Sequence, residues 1–267
     1  MNSIKQIEII YDNRLVGRLA LTKESLCAFE YSAEWLNSGF SISPFELPLR
    51  SGVFIAKPRP FEGGFGVFYD CLPDGWGLLI LDRYLQRNGV NPRTLSLLDR
   101  LALVGSTGRG ALEFRPDKSV VSKQEYADFE KLALEAEQIL NSDDYNGEGI
   151  EEFQYRGGSP GGARPKIFTR YDGKEWLVKF RAKRDSKCIG EDEYRYSLLA
   201  KECGIGMPET RLFEDKYFGV ERFDRVPNGK LHIVSVAGLI GANYRLPSID
   251  YTHIFQVCAC LLYTSDA

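Results

Sequence analysis

Residues 157–166 read Gly-Gly-Ser-Pro-Gly-Gly-Ala-Arg-Pro-Lys, four glycines and two prolines in ten positions. Neither a helix interior nor a central strand tolerates that composition, because glycine loses too much backbone entropy and proline lacks the N–H donor. The segment is therefore a loop, and the chain on each side of it must fold around it. Glycine also permits positive φ and close backbone approach, so successive amide N–H groups of such a loop can turn toward one anion. A hairpin follows at once. Ile167–Arg170 reads as a strand, Asp172-Gly173 as its turn and Glu175–Phe180 as the return strand. On the return strand Trp176, Val178 and Phe180 share one face, while Lys179 points to the other with Leu177 and Arg181.

The rest of the chain has ordinary globular composition, 43% hydrophobic and 27% charged. A net charge of −3 gives no general attraction to nucleic acid or to an anionic membrane. No apolar run is long enough to span a bilayer, and the N-terminus lacks the pattern of a secretory signal. The expected location is the cytoplasm, where the six cysteines would be plain thiols; only Cys258 and Cys260 are close, and they have no partner pair at zinc spacing.

The front of the chain predicts a small α/β subdomain over residues 1–115. Ile4, Ile7 and Ile9 alternate with polar residues in a strand, Asp12-Asn13-Arg14 turns the chain, and Leu15–Leu21 pairs back. Leu26–Tyr31 continues the β character, and the proline-containing Ser41–Leu49 stretch is loop or edge. Asp74 is placed to cap a helix that carries Leu78, Leu81 and Leu85 to Asn88 and stops at Gly89. Asn91-Pro92 starts a second, carrying Leu95, Leu98 and Leu101 toward Gly105, and Gly110–Arg115 is a strand. Residues 116–152 read as a connector helix and an acidic linker: Ser122 and Glu125 form a capping box, Phe129, Leu132, Ala136 and Ile139 make one helical face, and 142–152 lack the register of a calcium loop.

Beyond the hairpin, Glu191 to Cys203 reads as a helix ended by Gly204, and Thr210–Phe213 with Tyr217–Arg222 as a second hairpin. In protein kinases a glycine-rich loop covers the nucleotide phosphates, a strand lysine reaches them, and a helix glutamate pairs with that lysine. Lys179 fits the lysine, Glu193 is the first candidate for its partner and Glu191 the second; a solvated first-turn carboxylate explains either one alone. The loop is not a strict Gly-x-Gly-x-x-Gly and lacks the Gly-Lys-Ser/Thr ending of a P-loop, so by glycine count a surface turn reads equally well. Residues Glu221 to Arg225, leaving the second hairpin, take the position of an adenine-binding hinge or of a charged strand end with structural ion pairs.

Taken in order, these segments resemble the HipA family, the kinase toxins of bacterial toxin–antitoxin pairs. Val16-Gly17-Arg18-Leu19, Phe29-Glu30-Tyr31 with Trp35, Leu47-Pro48-Leu49 and Phe68 through Gly75 are similar to its N-terminal subdomain. Ser159 through Lys166 resembles its phosphate loop, Trp176 through Phe180 its lysine strand, Glu193 through Gly204 its helix, and Val220 through Arg225 its hinge. The resemblance implies an α+β fold, with the N-terminal subdomain followed over 153–262 by the small lobe and hinge of a kinase-like ATP-binding domain. It implies ATP with Mg²⁺ as cofactor, bound by Ser159, Gly161, Gly162, Ala163, Lys179, Glu221 and Phe223, and autophosphorylation of Ser159 as an off-switch. The partners it implies are a small helix-turn-helix antitoxin, operator DNA reached only through that antitoxin, and a protein of translation such as an aminoacyl-tRNA synthetase.

Phosphoryl transfer also requires a catalytic aspartate and metal-binding Asn and Asp residues. After Arg225 the chain offers His232, Asp250 and His253, but no Asp-x-x-x-x-Asn or His-x-x-Asn arrangement, and both histidines read as structural. Val234–Gly241 is an apolar segment matching the start of the large lobe, and Tyr251–Leu262 reads as a buried helix leading toward it. The expectation is thus a kinase whose large lobe is cut short, with the catalytic aspartate beyond Leu262 and residues 263–267 foreign to the fold. The alternative is a non-catalytic nucleotide- or antitoxin-binding module.

Overall fold

The computed structural model describes residues 3–120, 127–142, 145, 147–157 and 161–263. Two larger antiparallel sheets organise it, each with its own apolar core, beside a small two-stranded one.

The first sheet opens with β1 (Gln6–Tyr11) and β2 (Arg14–Leu21), joined by Asp12 and Asn13, both at positive φ. Asp and Asn tolerate that region, and such turns match the twist of the flanking strands. A register shift between Ile9 and Ile10 lets both consecutive isoleucines be buried. With β3 (Cys27–Tyr31), β4 (Val53–Ile55) and β5 (Glu113–Arg115) the order is β4-β3-β2-β1-β5. The short helices α1 (Ala33–Ser38) and α2 (Gly66–Tyr69) pack with this sheet, and Trp35, Phe29, Phe68, Leu98 and Phe114 fill its core.

Helix α3 (Gly75–Arg87) belongs to the other core, into which it inserts Trp76 and Ile80. The expected helix from Asn91 does not run through. Pro92–Thr94 forms one 3₁₀ turn, Leu95 is extended, and α4 (Leu97–Val104) starts afresh at Ser96. The reason is local: Ser96 and Asp99 make a reciprocal capping box, which satisfies two helix-end donors and requires an extended cap residue. The strand expected from Gly110 is confined to β5.

The second sheet has the order β6-β7-β9-β8, from β6 (Lys166–Tyr171), β7 (Lys174–Lys179), β8 (Thr210–Phe213) and β9 (Tyr217–Glu221). Its inner face carries Ile167, Trp176, Val178 and Phe180. Helix α5 (Phe129–Asn141) covers that face with Phe129, Leu132, Ala136 and Ile139, capped by Asp128 through Lys131 N. The expected capping pair Ser122 and Glu125 lies outside the described residues. Part of the stretch expected as acidic linker is α6 (Gly149–Gly157), whose Ile150 and Phe153 join the same core. Two apolar residues one helical turn apart suffice to bury one stripe of an otherwise charged segment.

Helix α7 (Ile189–Glu202) lies on the outer side, with contacts to β8 and β9. Beyond the sheet come the two-residue strands β10 (Arg225–Val226) and β11 (Gly229–Lys230), then α8 (Val236–Ile240) and α9 (Tyr251–Tyr263). Helix α8 meets α2 where two glycines touch: a Cβ on Gly66 would sit 2.1 Å from the Gly238 carbonyl oxygen. Helix α9 forms where the sequence predicts it, but it is not buried. Among its described side chains only Val257 is buried, Ile254 and Leu261 are half-buried, and Phe255 is 68% exposed. Among the described residues no helix is long and apolar enough to cross a membrane.

Candidate functional site

The turn Asp172-Gly173, with φ of +51° and +73°, sets the β6–β7 register so that Lys166 stands opposite Lys179. Residues opposite each other in an antiparallel pair project to the same side. The glycine loop thus ends in one lysine whose cross-strand neighbour is a second. Phe180 N donates to Pro165 O at 2.8 Å and ties the loop's end to the return strand.

Lys179 Nζ lies 2.7 Å from Glu193 Oε2 and over the Phe218 ring, 5.1 Å from its centroid. Glu193 Oε1 accepts from Arg164 Nη1 at 3.3 Å, and Arg164 also pairs with Asp185 at 2.9 Å. Of the two glutamates considered for Lys179, the structure brings Glu193 to it; Glu191 instead faces Arg195, 3.7 Å away on the helix surface.

The described part of the loop is held on both sides. Gly162, at φ +95°, donates its N–H to Asp74 Oδ1 at 2.6 Å and accepts from Trp76 N at 3.0 Å. Gly161 O accepts from Lys166 Nζ at 2.5 Å. Ala163 is exposed next to them. Ser159 lies outside the described residues. Burial pushes the Lys166 ammonium down to about 8, and the charge of Lys179 pushes the same way. An anion placed between these lysines would relieve both effects.

Two of these features are invisible to helix and strand periodicity. Lys166 carries no site signal of its own in the sequence, although counting back from the Asp172-Gly173 turn pairs it with Lys179. Asp74 reads as a helix cap, yet its side chain makes no cap bond to α3 and turns to Gly162 instead. No local signal distinguishes the two uses of a pre-helical aspartate.

Glu221 and Phe223 stand apart from the lysines. The Glu221 carboxylate meets Lys174 at 2.9 Å, at the opposite end of β7 from Lys179, and Phe223 is 62% exposed. Between them and just after, Arg222, Asp224 and Arg225 form a largely buried ionic cluster. Asp224 accepts from Arg222 Nε and Nη2 (3.0 and 2.7 Å), from Arg225 Nη1 (2.7 Å) and from Gly110 N (2.9 Å). Arg225 Nη2 donates to Gly108 O at 2.8 Å. The ion-pair reading of this segment thus describes its side chains, which fasten the strand end to the loop before β5. His232 Nε2 lies 2.8 Å from Ile42 O, and His253 pairs with Asp250 at 2.7 Å.

The model of the HipA N-terminal domain matches residues 7–115, and that of the HipA-like C-terminal domain matches residues 158–266. The chain belongs to the HipA family. A similar protein is the Sinorhizobium fredii protein named "Putative kinase Y4dM", 25% identical over 234 residues, which cover 80% of this chain and 54% of the relative. Among solved structures, Shewanella oneidensis HipA, determined with HipB and its operator DNA, matches with a TM-score of 0.60 and 22% identity, over 89% of this chain and 57% of that one. The fold is therefore that of HipA, and the chain spans about half the length of these relatives.

Proposed function

We propose that this chain carries the nucleotide-binding part of an ATP-dependent serine/threonine protein kinase, the toxin of a toxin–antitoxin pair. The observation that carries the reading is the Lys179–Glu193 pair at 2.7 Å, set beside a glycine loop that ends in the buried Lys166. A strand lysine held by a helix carboxylate is oriented to meet phosphate oxygens, and loop amides supply further donors. The donor set suits a polyphosphate. Among the described residues no three or more His, Cys, Asp or Glu side chains are grouped to hold a metal ion, so no Mg²⁺ ligand is assigned within the chain. Gly161, Gly162 and Ala163 are the loop residues nearest the phosphates in this reading, with Glu221 and Phe223 at the adenine side.

Family membership and the name of the Sinorhizobium relative support the kinase assignment, and the HipB–DNA complex of the Shewanella protein supports a DNA-binding antitoxin as partner. The protein substrate is proposed from the translation machinery, an aminoacyl-tRNA synthetase being one such target, and the site of action is the cytoplasm. Ser159 is proposed as the autophosphorylation site; a dianionic phosphate there would repel the phosphates of ATP. No catalytic aspartate is assigned within residues 1–267. The chain alone is therefore expected to bind nucleotide without transferring phosphate, which also accommodates the reading of a binding module.

Titration calorimetry of the 267-residue chain with a non-hydrolysable ATP analogue tests the site. Lys179→Ala should weaken binding roughly ten- to a hundredfold, the range for losing a hydrogen bond to a charged group. Equal affinity in wild type and variant, or no binding by wild type, would overturn the assignment.

A further inference from the structure

We propose that the N-terminus of α3 is a latch for the glycine loop and that Asp74 is a positioning residue of the nucleotide site. The nucleotide part of this inference rests on the function proposed above; the latch itself rests on geometry alone.

An aspartate before a helix ordinarily caps it by accepting from the second or third helical amide. Asp74 makes no such bond. Its Oδ1 accepts from Gly162 N at 2.6 Å, while Trp76 N, two residues on, donates to Gly162 O at 3.0 Å. Both polar groups of one loop residue are thus bound by one helix end. The helix end is itself firm: the Trp76 indole is buried and meets the Phe153 ring edge-on at 5.0 Å. The fit between the two segments is close. Gly75 has φ +47°, and a Cβ there would lie 2.6 Å from Gly162 O. On the loop's other flank Lys166 holds Gly161 O, and a Cβ on Gly161 would meet Arg109 Nη1 at 2.9 Å. Gly161 and Gly162 are therefore held in one arrangement by groups 88 residues earlier in the chain and by the lysine that closes the loop.

A loop of this composition has many accessible conformations when free. If only one fraction of them presents its amides to a polyphosphate, apparent affinity falls by that fraction. The latch would keep the fraction high without touching the nucleotide: with the Gly162 N–H held by Asp74, the amides left for phosphate are those of the neighbouring loop residues. Asp74→Ala removes the acceptor. Asp74→Asn retains an acceptor oxygen of the same reach and should restore the latch.

The test pairs hydrogen exchange of the 161–166 segment with calorimetric titration of the ATP analogue, both on the 267-residue chain. Asp74→Ala should speed exchange at the Gly162 amide and weaken analogue binding, each roughly ten- to a hundredfold. Asp74→Asn should restore both to near wild type. Ser32→Ala, which removes the cap of α1 in the other core, should lower the melting temperature and leave both readouts unchanged. Should Asp74→Ala fail to fold, Gly75→Ala takes its place, since its methyl would wedge the two segments apart. Unchanged exchange in Asp74→Ala overturns the latch. So does an Asp74→Asn protein as defective as Asp74→Ala, and so does tighter analogue binding by Asp74→Ala, which would make the carboxylate a competitor of phosphate. If wild type binds no analogue, the proposed function fails, and the exchange measurement alone decides the latch.

Discussion

Replacing Asp224 with alanine removes a carboxylate, 5% exposed, that accepts four hydrogen bonds from two guanidinium groups and one backbone amide. Arg222 is nearly as buried, so the change leaves a cation in a poorly hydrated place. Removing one partner of a buried ion pair destabilises by about 3–5 kcal/mol. Glu175 still approaches both arginines at 3.4 Å, which favours the lower end, about 3 kcal/mol. For a chain of this size roughly 2 °C of melting temperature is lost per kcal/mol, so the midpoint should fall by about 6 °C. Circular dichroism melts and urea titrations at pH 7 measure it. The effect should fade in acid. Burial alone would raise the Asp224 carboxyl, but hydrogen bonds and charge from Arg222, then the charge of Arg225 and the Gly110 amide, outweigh it and hold it below its ordinary value. A carboxyl whose pKa is depressed on folding contributes stability above its unfolded value near 4, and loses it as pH falls from there through the folded value. The gap between wild type and Asp224→Ala should therefore narrow below about pH 4. A midpoint within about 1 °C of wild type at pH 7 would refute the view that this cluster fastens the end of β9 to the loop before β5.

Lys166 gives a second pH-dependent prediction. Its ammonium is pushed down to about 8, so above that pH it is increasingly neutral in the free protein. A polyphosphate bound beside it favours the charged form and should draw a proton from solution between about pH 8 and 10. Calorimetric titrations at pH 8.5 in buffers of different ionisation enthalpy should then give different apparent enthalpies; identical values would exclude Lys166 from the site. In the complete protein, mass spectrometry after incubation with ATP should find phosphate on Ser159 and lose it in Ser159→Ala, whereas phosphate on another residue refutes that assignment.

Much of the local structure was legible because its causes are local. Asp12-Asn13, Asp172-Gly173 and Glu214-Asp215 all sit at turns with positive φ, and each hairpin forms where its alternating strands predict it. The face Phe129, Leu132, Ala136 and Ile139 is buried as its spacing requires. Local reasoning failed where two local signals competed. Asn91-Pro92 is a fair helix start, but the Ser96–Asp99 capping box a few residues later takes the helix. It failed again at α6, whose glutamates suggested a solvated linker while Ile150 and Phe153 found a core to enter. Burial of α9 was expected from its apolar composition, yet composition does not say whether a partner surface lies against it.

The sequence by itself determined the loop, the hairpin that follows it and the face on which Lys179 points, because glycine conformational freedom, turn chemistry and strand alternation act over a few residues. It also carried enough ordered motifs to resemble the HipA family. Only the tertiary structure decided what those pieces meet. The choice of Glu193 over Glu191, the turning of Asp74 from its own helix to Gly162, and the joining of Asp224 to Gly110 are contacts between segments 14, 88 and 114 residues apart. A carboxylate bonds whichever donor the packed core brings within reach, and no local pattern in the chain encodes that distance.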